Sequence, residues 1–332
     1  MNESLAETRL PEYPEPVEVE IELTNRCNAR CTACPRDDMP LAGLLDVATL
    51  DLILDAYADA RPGYTLNQPP SSMVQPRISV AGGGEPLLHP EAVALLARVV
   101  ARGFPVHLIT NGSLLTDERI AELLDVGLSS VCISFWGVKK DEYERAMRLP
   151  YERTLERVET FAQAASAAHL PVRVLWVRSP EIVSRRDEIA AFWSERGIAV
   201  EMGDNVMWNR GGLLQIARRP QEGLELPDPR RRIWCADLFF SDTYDWRGRC
   251  LLCCCNYFCS DSYELGDIRT HTPRDISAIK AQILSARPLP SMCVGCEQPR
   301  REQSTWLAEP WLSRISAAER AMVTYDPTWV AP

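Results

Sequence analysis

Six short apolar runs, separated by longer amphipathic stretches, limit this chain to very few folds. The runs are Val17–Leu23, Ile78–Ala81, Val106–Thr110, Val131–Phe135, Val172–Val177 and Ala199–Met202. Between them, Ala92–Arg102, Asp117–Asp125 and Tyr151–Ala168 carry apolar residues at helical spacing. Strand–helix repeats of this kind build a parallel sheet with right-handed crossovers, because the crossing helix must pack back onto the sheet. Periodicity alone fits a partial (βα)6 barrel, a full barrel or an open doubly wound sheet. The Pro- and Ser-rich stretch Gly63–Pro76 reads as an exposed loop before the second strand.

The first run leads into Thr24-Asn-Arg-Cys27-Asn-Ala-Arg-Cys31-Thr-Ala-Cys34-Pro35. Three thiolates at this spacing, in one loop after a strand, can hold three irons of a 4Fe–4S cluster and leave the fourth iron open. An open coordination position marks a metal site built for chemistry. Zinc on the three thiolates and one further ligand is the alternative, although structural zinc sites usually pair C-x2-C units.

Composition narrows the setting. The chain has 332 residues, 46% hydrophobic and 25% charged, enough to bury a sizeable core. No apolar run reaches the ~18 residues of a membrane span. The start, Met1-Asn-Glu-Ser-Leu-Ala-Glu7, lacks the basic and apolar regions of a signal peptide. The expectation is a cytoplasmic protein with no membrane partner. A net charge of −10 argues against nucleic acid as a partner, since phosphate contacts need a basic surface. In a reducing compartment, twelve cysteines point to metal rather than to disulfides.

Eight of those cysteines fall within residues 235–296, after a Pro- and Arg-rich connector at 218–232. The chain divides into an N-terminal extension (1–16), the strand–helix unit (17–215), a cysteine-rich unit (216–302) and a tail (303–332). The tail carries Trp306, Trp311 and Trp329 and is expected to pack on the barrel. Cys235, Cys253, Cys293 and Cys296 would close a second 4Fe–4S site with four thiolates. A four-cysteine zinc knuckle is the rival. The run Cys253-Cys254-Cys255 leaves the ligand open by a residue, because successive strand residues face opposite ways. Cys250, Cys254, Cys255 and Cys259 are left over. A thiol beside a radical can return a hydrogen atom to carbon, and Cys250 is the first candidate. A small buried apolar residue is the plain alternative there, and Cys132 reads as core.

The N-terminal cysteine stretch resembles the signature of the radical S-adenosylmethionine (radical SAM) enzymes. That resemblance implies a partial (βα)6 barrel with SAM chelated by the open iron. It also implies reductive cleavage of SAM to a 5′-deoxyadenosyl radical, and an electron donor such as flavodoxin or ferredoxin. Ala33 stands where the family usually has an aromatic residue near the adenine. Gly82-Gly83-Gly84-Glu85-Pro86 resembles the family's G-G-E-P motif, which implies that Gly83, Gly84 and Glu85 line the site of the methionine amino group. Glycines at a strand's C-terminal end also let a ligand approach the backbone. By the same resemblance Thr110, Asn111 and Ser134 bind SAM, and Arg148 takes its carboxylate, as a bidentate guanidinium can. An Asn-Gly turn and a solvated helix charge are the plain alternatives. Asn209-Arg210-Gly211-Gly212 resembles a segment of relatives with C-terminal clusters and would aim Arg210 at substrate, with a structural salt bridge as the alternative. The order Cys235, Cys253, Cys293-Val-Gly-Cys296 resembles the twitch form of the SPASM auxiliary-cluster domain. Glu302 stands where a full SPASM domain has a further Cys, so two 4Fe–4S clusters are expected in all.

Peptide-modifying relatives often carry a peptide-binding domain before the barrel, and about sixteen residues precede the first strand here. The expected substrate is therefore a small sugar, aminocyclitol or nucleoside of antibiotic or other secondary metabolism. Epimerisation with a cysteine hydrogen donor is the expected outcome. Dehydrogenation through the auxiliary cluster, radical decarboxylation or dehydration, and peptide maturation are alternatives. The non-enzymatic rival is an iron–sulfur or zinc protein.

Overall fold

In a computed structural model the structure describes residues 16–36, 42–60, 75–176, 185–202, 241–258, 263–285, 290 and 292. The extension before residue 16, most of Gly63–Pro76, Arg210, the 218–232 connector, Cys235, Cys259, Cys293, Cys296 and the tail lie outside the described residues.

The apolar runs become strands β1 (Glu18–Glu22), β2 (Arg77–Ala81), β3 (Val106–Thr110), β4 (Ser130–Ser134), β5 (Val172–Trp176) and β6 (Ala199–Met202). Helices α1 (Val47–Ala56), α2 (Ala92–Ala101), α3 (Asp117–Val126), α4 (Lys140–Met147), α5 (Tyr151–Ala167) and α6 (Arg186–Ser194) alternate with them. Local chemistry sets their ends. Asp46 caps α1 by accepting from the Thr49 N–H, and Thr116 caps α3 by accepting from that of Arg119. Gly127 closes α3 in the left-handed conformation, φ 83°, where a Cβ would be strained.

Strand order decides among the architectures that periodicity left open. The sheet runs β6-β5-β4-β3-β2-β1-β7-β8-β9, with β1 to β6 parallel and each beside its neighbour in sequence. A doubly wound sheet reverses direction at a switch point. An unreversed order with right-handed crossovers keeps every helix on one face, as in a partial (βα)6 barrel. The C-terminal segment prolongs the sheet: β7 (Ser241–Tyr244) pairs parallel with β1, and β8 (Arg249–Leu251) and β9 (Glu264–Asp267) follow antiparallel. Helix α7 (Pro273–Ser285) closes this part.

The pleat sorts residues onto two faces. Val19, Ile21, Ile78, Val80, Val106, Leu108, Val131, Ile133 and Val174 are buried in one core with Leu50, Ile53, Leu95, Val158 and Phe161 of the helices. The opposite face lines the barrel interior and is polar. There Glu18 pairs with Arg77 at 2.8 Å and accepts from Ser79, and His107 Nδ1 lies 2.7 Å from Ser130 Oγ. Burial, with the Arg77 and Arg173 charges nearby, holds His107 down at about 4, neutral at physiological pH.

Candidate active site

The site lies at the C-terminal ends of the parallel strands, where ligands bind in β/α barrels. The loop after β1 carries Cys27, Cys31 and Cys34, all half-buried. Four elements hold it. Arg36 donates to the carbonyls of Cys27 at 2.9 Å and Asn25 at 3.3 Å. The last carbonyls of α4, which have no partner within the helix, accept from the loop: Thr32 N donates to Ala146 O at 2.9 Å and Arg30 N to Met147 O at 3.2 Å. Asn28 donates to Ser113 Oγ at 2.8 Å and accepts from Asn111 Nδ2 at 2.9 Å, tying the loop to the turn after β3. Glu85 N donates to Arg26 O at 2.8 Å.

That last contact explains Gly84. A Cβ on Gly84 would sit 2.2 Å from Thr24 O and 2.5 Å from Arg26 O, so only glycine lets the two loops meet. The fourth residue of the Gly82–Pro86 stretch, Glu85, is buried and faces inward. Its carboxylate accepts from Thr110 Oγ1 and Asn111 N, each at 2.7 Å, and from Leu87 N at 3.2 Å. Burial outweighs these donors and pushes its pKa up to about 6. In this structure Glu85, Thr110 and Asn111 brace one another and the cysteine loop.

The three thiols suit an iron–sulfur cluster. Burial and the neighbouring Cys34 and Cys27 push Cys31 up to about 12, and burial raises Cys27. Without metal, Cys27 and Cys31 stay protonated at neutral pH. Thiolate formation at such a site depends on a bound cation, and loading releases protons.

Ser134 ends β4 half-buried on the interior face. Arg148 is exposed and closes α4 in the left-handed conformation, φ 56°. It directly follows Met147, whose carbonyl holds the cysteine loop, so its backbone adjoins the site.

Sequence reasoning missed Glu22. It ends β1, is 1% exposed, and accepts from Gly83 N at 2.8 Å and Trp246 N at 3.4 Å. Burial pushes it up to about 8, with Asp245 adding to the rise against the Gly83 N–H. It links the glycine loop to the turn between β7 and β8. The signal was present: glutamates at 18, 20 and 22 alternate through an otherwise apolar strand.

The structure separates Cys250 from the cysteine loop. Cys250 pairs with Tyr244, which pairs with Ile21 on the helix-facing side. It is fully buried there near Tyr57, Asp242, Tyr244 and Lys280, and burial raises its thiol pKa strongly. Leu251, the next residue, points the other way and packs with Tyr257 and Phe258 against Cys34 and Cys254. Cys255 is buried in the main core, while Cys253 and Cys254 are half-buried.

Residues 21–177 match the Radical SAM superfamily. They are a radical SAM domain. Such a domain uses SAM and a 4Fe–4S cluster, and among the described residues the three thiols after β1 could hold it. Among curated proteins, the chain is 35% identical over 115 residues to the "tungsten-containing aldehyde ferredoxin oxidoreductase cofactor-modifying protein" of Pyrococcus furiosus, covering 34% of this chain and 29% of that protein. It is 30% identical over 239 residues to a GTP 3′,8-cyclase of Mycobacterium ulcerans, covering 65% and 60%. It is 29% identical over 228 residues to a PqqA peptide cyclase of Xanthomonas axonopodis, covering 66% and 57%. The chain spans less than two thirds of each of these relatives. Its fold is also found among solved structures. BtrN, in complex with AdoMet and 2-DOIA, has a TM-score of 0.56 at 18% identity, covering 85% of this chain and 93% of that one. Streptococcus suis SuiB, bound to the precursor peptide SuiA, has 0.64 at 13% identity, covering 93% and 75%. Among the described residues no helix is long and apolar enough to cross a membrane.

Proposed function

We propose that this chain is a radical SAM enzyme that abstracts a hydrogen atom from a C–H bond of a small carbohydrate-like substrate and oxidises the resulting radical. The observation that carries the reading is the docking of Thr24–Arg26, the segment leading into the cysteine loop, on Gly84 and Glu85, which sets that loop beside the one expected to hold SAM. When bound, SAM and the cluster supply the 5′-deoxyadenosyl radical. The residues of the chain hold that assembly: Cys27, Cys31 and Cys34 take iron, and Gly83, Gly84, Ser134 and Arg148 take SAM. Glu85, Thr110 and Asn111 keep the loops in place. Arg210 is assigned to substrate.

The fate of the radical turns on the C-terminal cysteines. The position of Cys250 on the helix face speaks against it as hydrogen donor. Oxidation through an auxiliary 4Fe–4S cluster on Cys235, Cys253, Cys293 and Cys296 is the reading we favour. An external donor such as a flavodoxin or ferredoxin supplies the electron for SAM cleavage. Epimerisation stays as the second reading for one reason: Cys254 packs in the same cluster as Cys34. The relative crystallised with 2-DOIA supports a small substrate, and the one crystallised with SuiA supports a peptide.

Anaerobic turnover in D2O with sugars, aminocyclitols and nucleosides tests this by mass spectrometry. Oxidation gives a product two mass units lighter with no deuterium at the reacting carbon. One deuterium retained at that carbon would replace oxidation by epimerisation. The intact chain should hold about eight irons, and replacing Cys27, Cys31 and Cys34 by Ala should remove about four together with 5′-deoxyadenosine formation. Stoichiometric zinc with about four irons would make the second site a zinc knuckle.

A further inference from the structure

Three successive residues of the cysteine loop meet the end of α4. Arg30 N donates to Met147 O at 3.2 Å, and Thr32 N donates to Ala146 O at 2.9 Å. Between them the Cys31 thiol donates to Met147 Sδ at 3.6 Å. Met147 is 1% exposed, so this sulfur–sulfur contact lies away from water. Cys27 has a different neighbour: its sulfur accepts from Ala29 N at 3.4 Å. Cys31 meets the Met147 thioether beside its own backbone N–H.

A thioether accepts a hydrogen bond weakly and has none to give. Once iron displaces the Cys31 proton, the thiolate faces an apolar, polarisable sulfur. We propose that Met147 is a positioning residue for the radical cluster, acting through Cys31: it holds that sulfur in place and keeps water and other hydrogen-bond donors off it. This rests on the assignment of the cluster to Cys27, Cys31 and Cys34 above. Donors to a ligating sulfur stabilise the reduced cluster, whose negative charge is larger, and raise its potential. Shielding by Met147 has the opposite effect and keeps the reduced cluster a strong electron donor.

The test uses the full chain, reconstituted anaerobically, with Met147 intact, as Met147→Leu and as Met147→Gln. The radical cluster's signal is the part of the electron paramagnetic resonance spectrum that is absent when Cys27, Cys31 and Cys34 are replaced by Ala. Its midpoint potential is read by redox titration without SAM. Glutamine, of nearly the same length, brings an amide donor to Cys31. It should raise the equilibrium constant for reduction about tenfold, a rise of about 59 mV for one electron. Met147→Leu keeps an apolar contact and should leave the potential where it is. Met147→Ser brings a hydroxyl and room for water, so it should move the potential as Gln does and serves if the amide does not fit. A second readout leaves Met147 in place. With the protein's methionine methyls labelled with ¹³C, the reduced radical cluster should show a ¹³C coupling that Met147→Leu abolishes. A potential unmoved in both polar variants, a Leu shift as large as theirs, or no such coupling overturns the role of Met147 while leaving the cluster in place. A triple-Ala chain whose spectrum matches that of the intact chain removes the cluster from these cysteines and this role with it.

Discussion

Replacing Gly84 by Ala would set a methyl carbon 2.2 Å from Thr24 O and 2.5 Å from Arg26 O, where ordinary contact begins at 3.4 Å. Both neighbours are backbone, so no side chain can rotate away. The glycine loop must withdraw from the cysteine loop by about 1 Å, which stretches the 2.8 Å bond from Glu85 N to Arg26 O beyond hydrogen-bond range. Overpacking of this kind costs about 1–3 kcal/mol and the lost backbone bond about 1 kcal/mol. Together these predict a fall in Tm of roughly 5–15 °C for a domain of this size. A displacement of about 1 Å between SAM and cluster should slow SAM cleavage about 100-fold. The assay is 5′-deoxyadenosine release by anaerobically reconstituted protein, normalised to bound iron, beside a thermal melt. Gly127→Ala is the control: its Cβ meets only Val100 at 3.6 Å, while its φ of 83° still makes alanine unfavourable by about 1–2 kcal/mol. The control should lower Tm and leave cleavage per iron unchanged. Wild-type cleavage and Tm in Gly84→Ala would refute the contact between the loops.

Three further outcomes follow from buried polar groups. Glu85→Gln turns an amide N–H toward donors that now meet carboxylate oxygens, and should cost about 1–3 kcal/mol in urea unfolding and weaken SAM binding in calorimetry. Lys280 is buried, donates to Ser241 O at 2.6 Å and pairs with Asp242, so Lys280→Met should cost about 3–5 kcal/mol. The double variant with Asp242→Asn should lose less than this single one, and a double variant that loses more would contradict the pairing. His107 has a folded pKa of about 4, below its unfolded value, so the unfolded chain binds more protons across that window. Its contribution, about 3 kcal/mol at most, is present above about pH 6.5 and lost as pH falls toward 4. His107→Gln should flatten that part of the stability–pH curve, and an unchanged slope would show that His107 is not held neutral.

By itself the sequence determined the positions of strands β1 to β6 and of helices α2, α3 and α5, the three-thiol loop and the glycine loop. Each rests on local information. A five-residue apolar run such as Val106–Thr110 suits a buried strand, and Cys27, Cys31 and Cys34 must share one loop because so few residues separate them. The tertiary structure decided what depends on pairing between distant segments. Strand order separated the partial barrel from a doubly wound sheet, and the pairing of β7 with β1 carried the C-terminal segment into the same sheet. Pairing also set which way side chains point. Cys250 shares the helix-facing side with Tyr244 and Ile21, whereas Leu251 faces Cys34. Likewise Glu85, legible as a ligand-loop residue, proved to be bound by Thr110 and Asn111 from another strand. A period-two pattern shows that a strand has two faces, but only its register against partners far along the chain says which face meets the core and which meets the site.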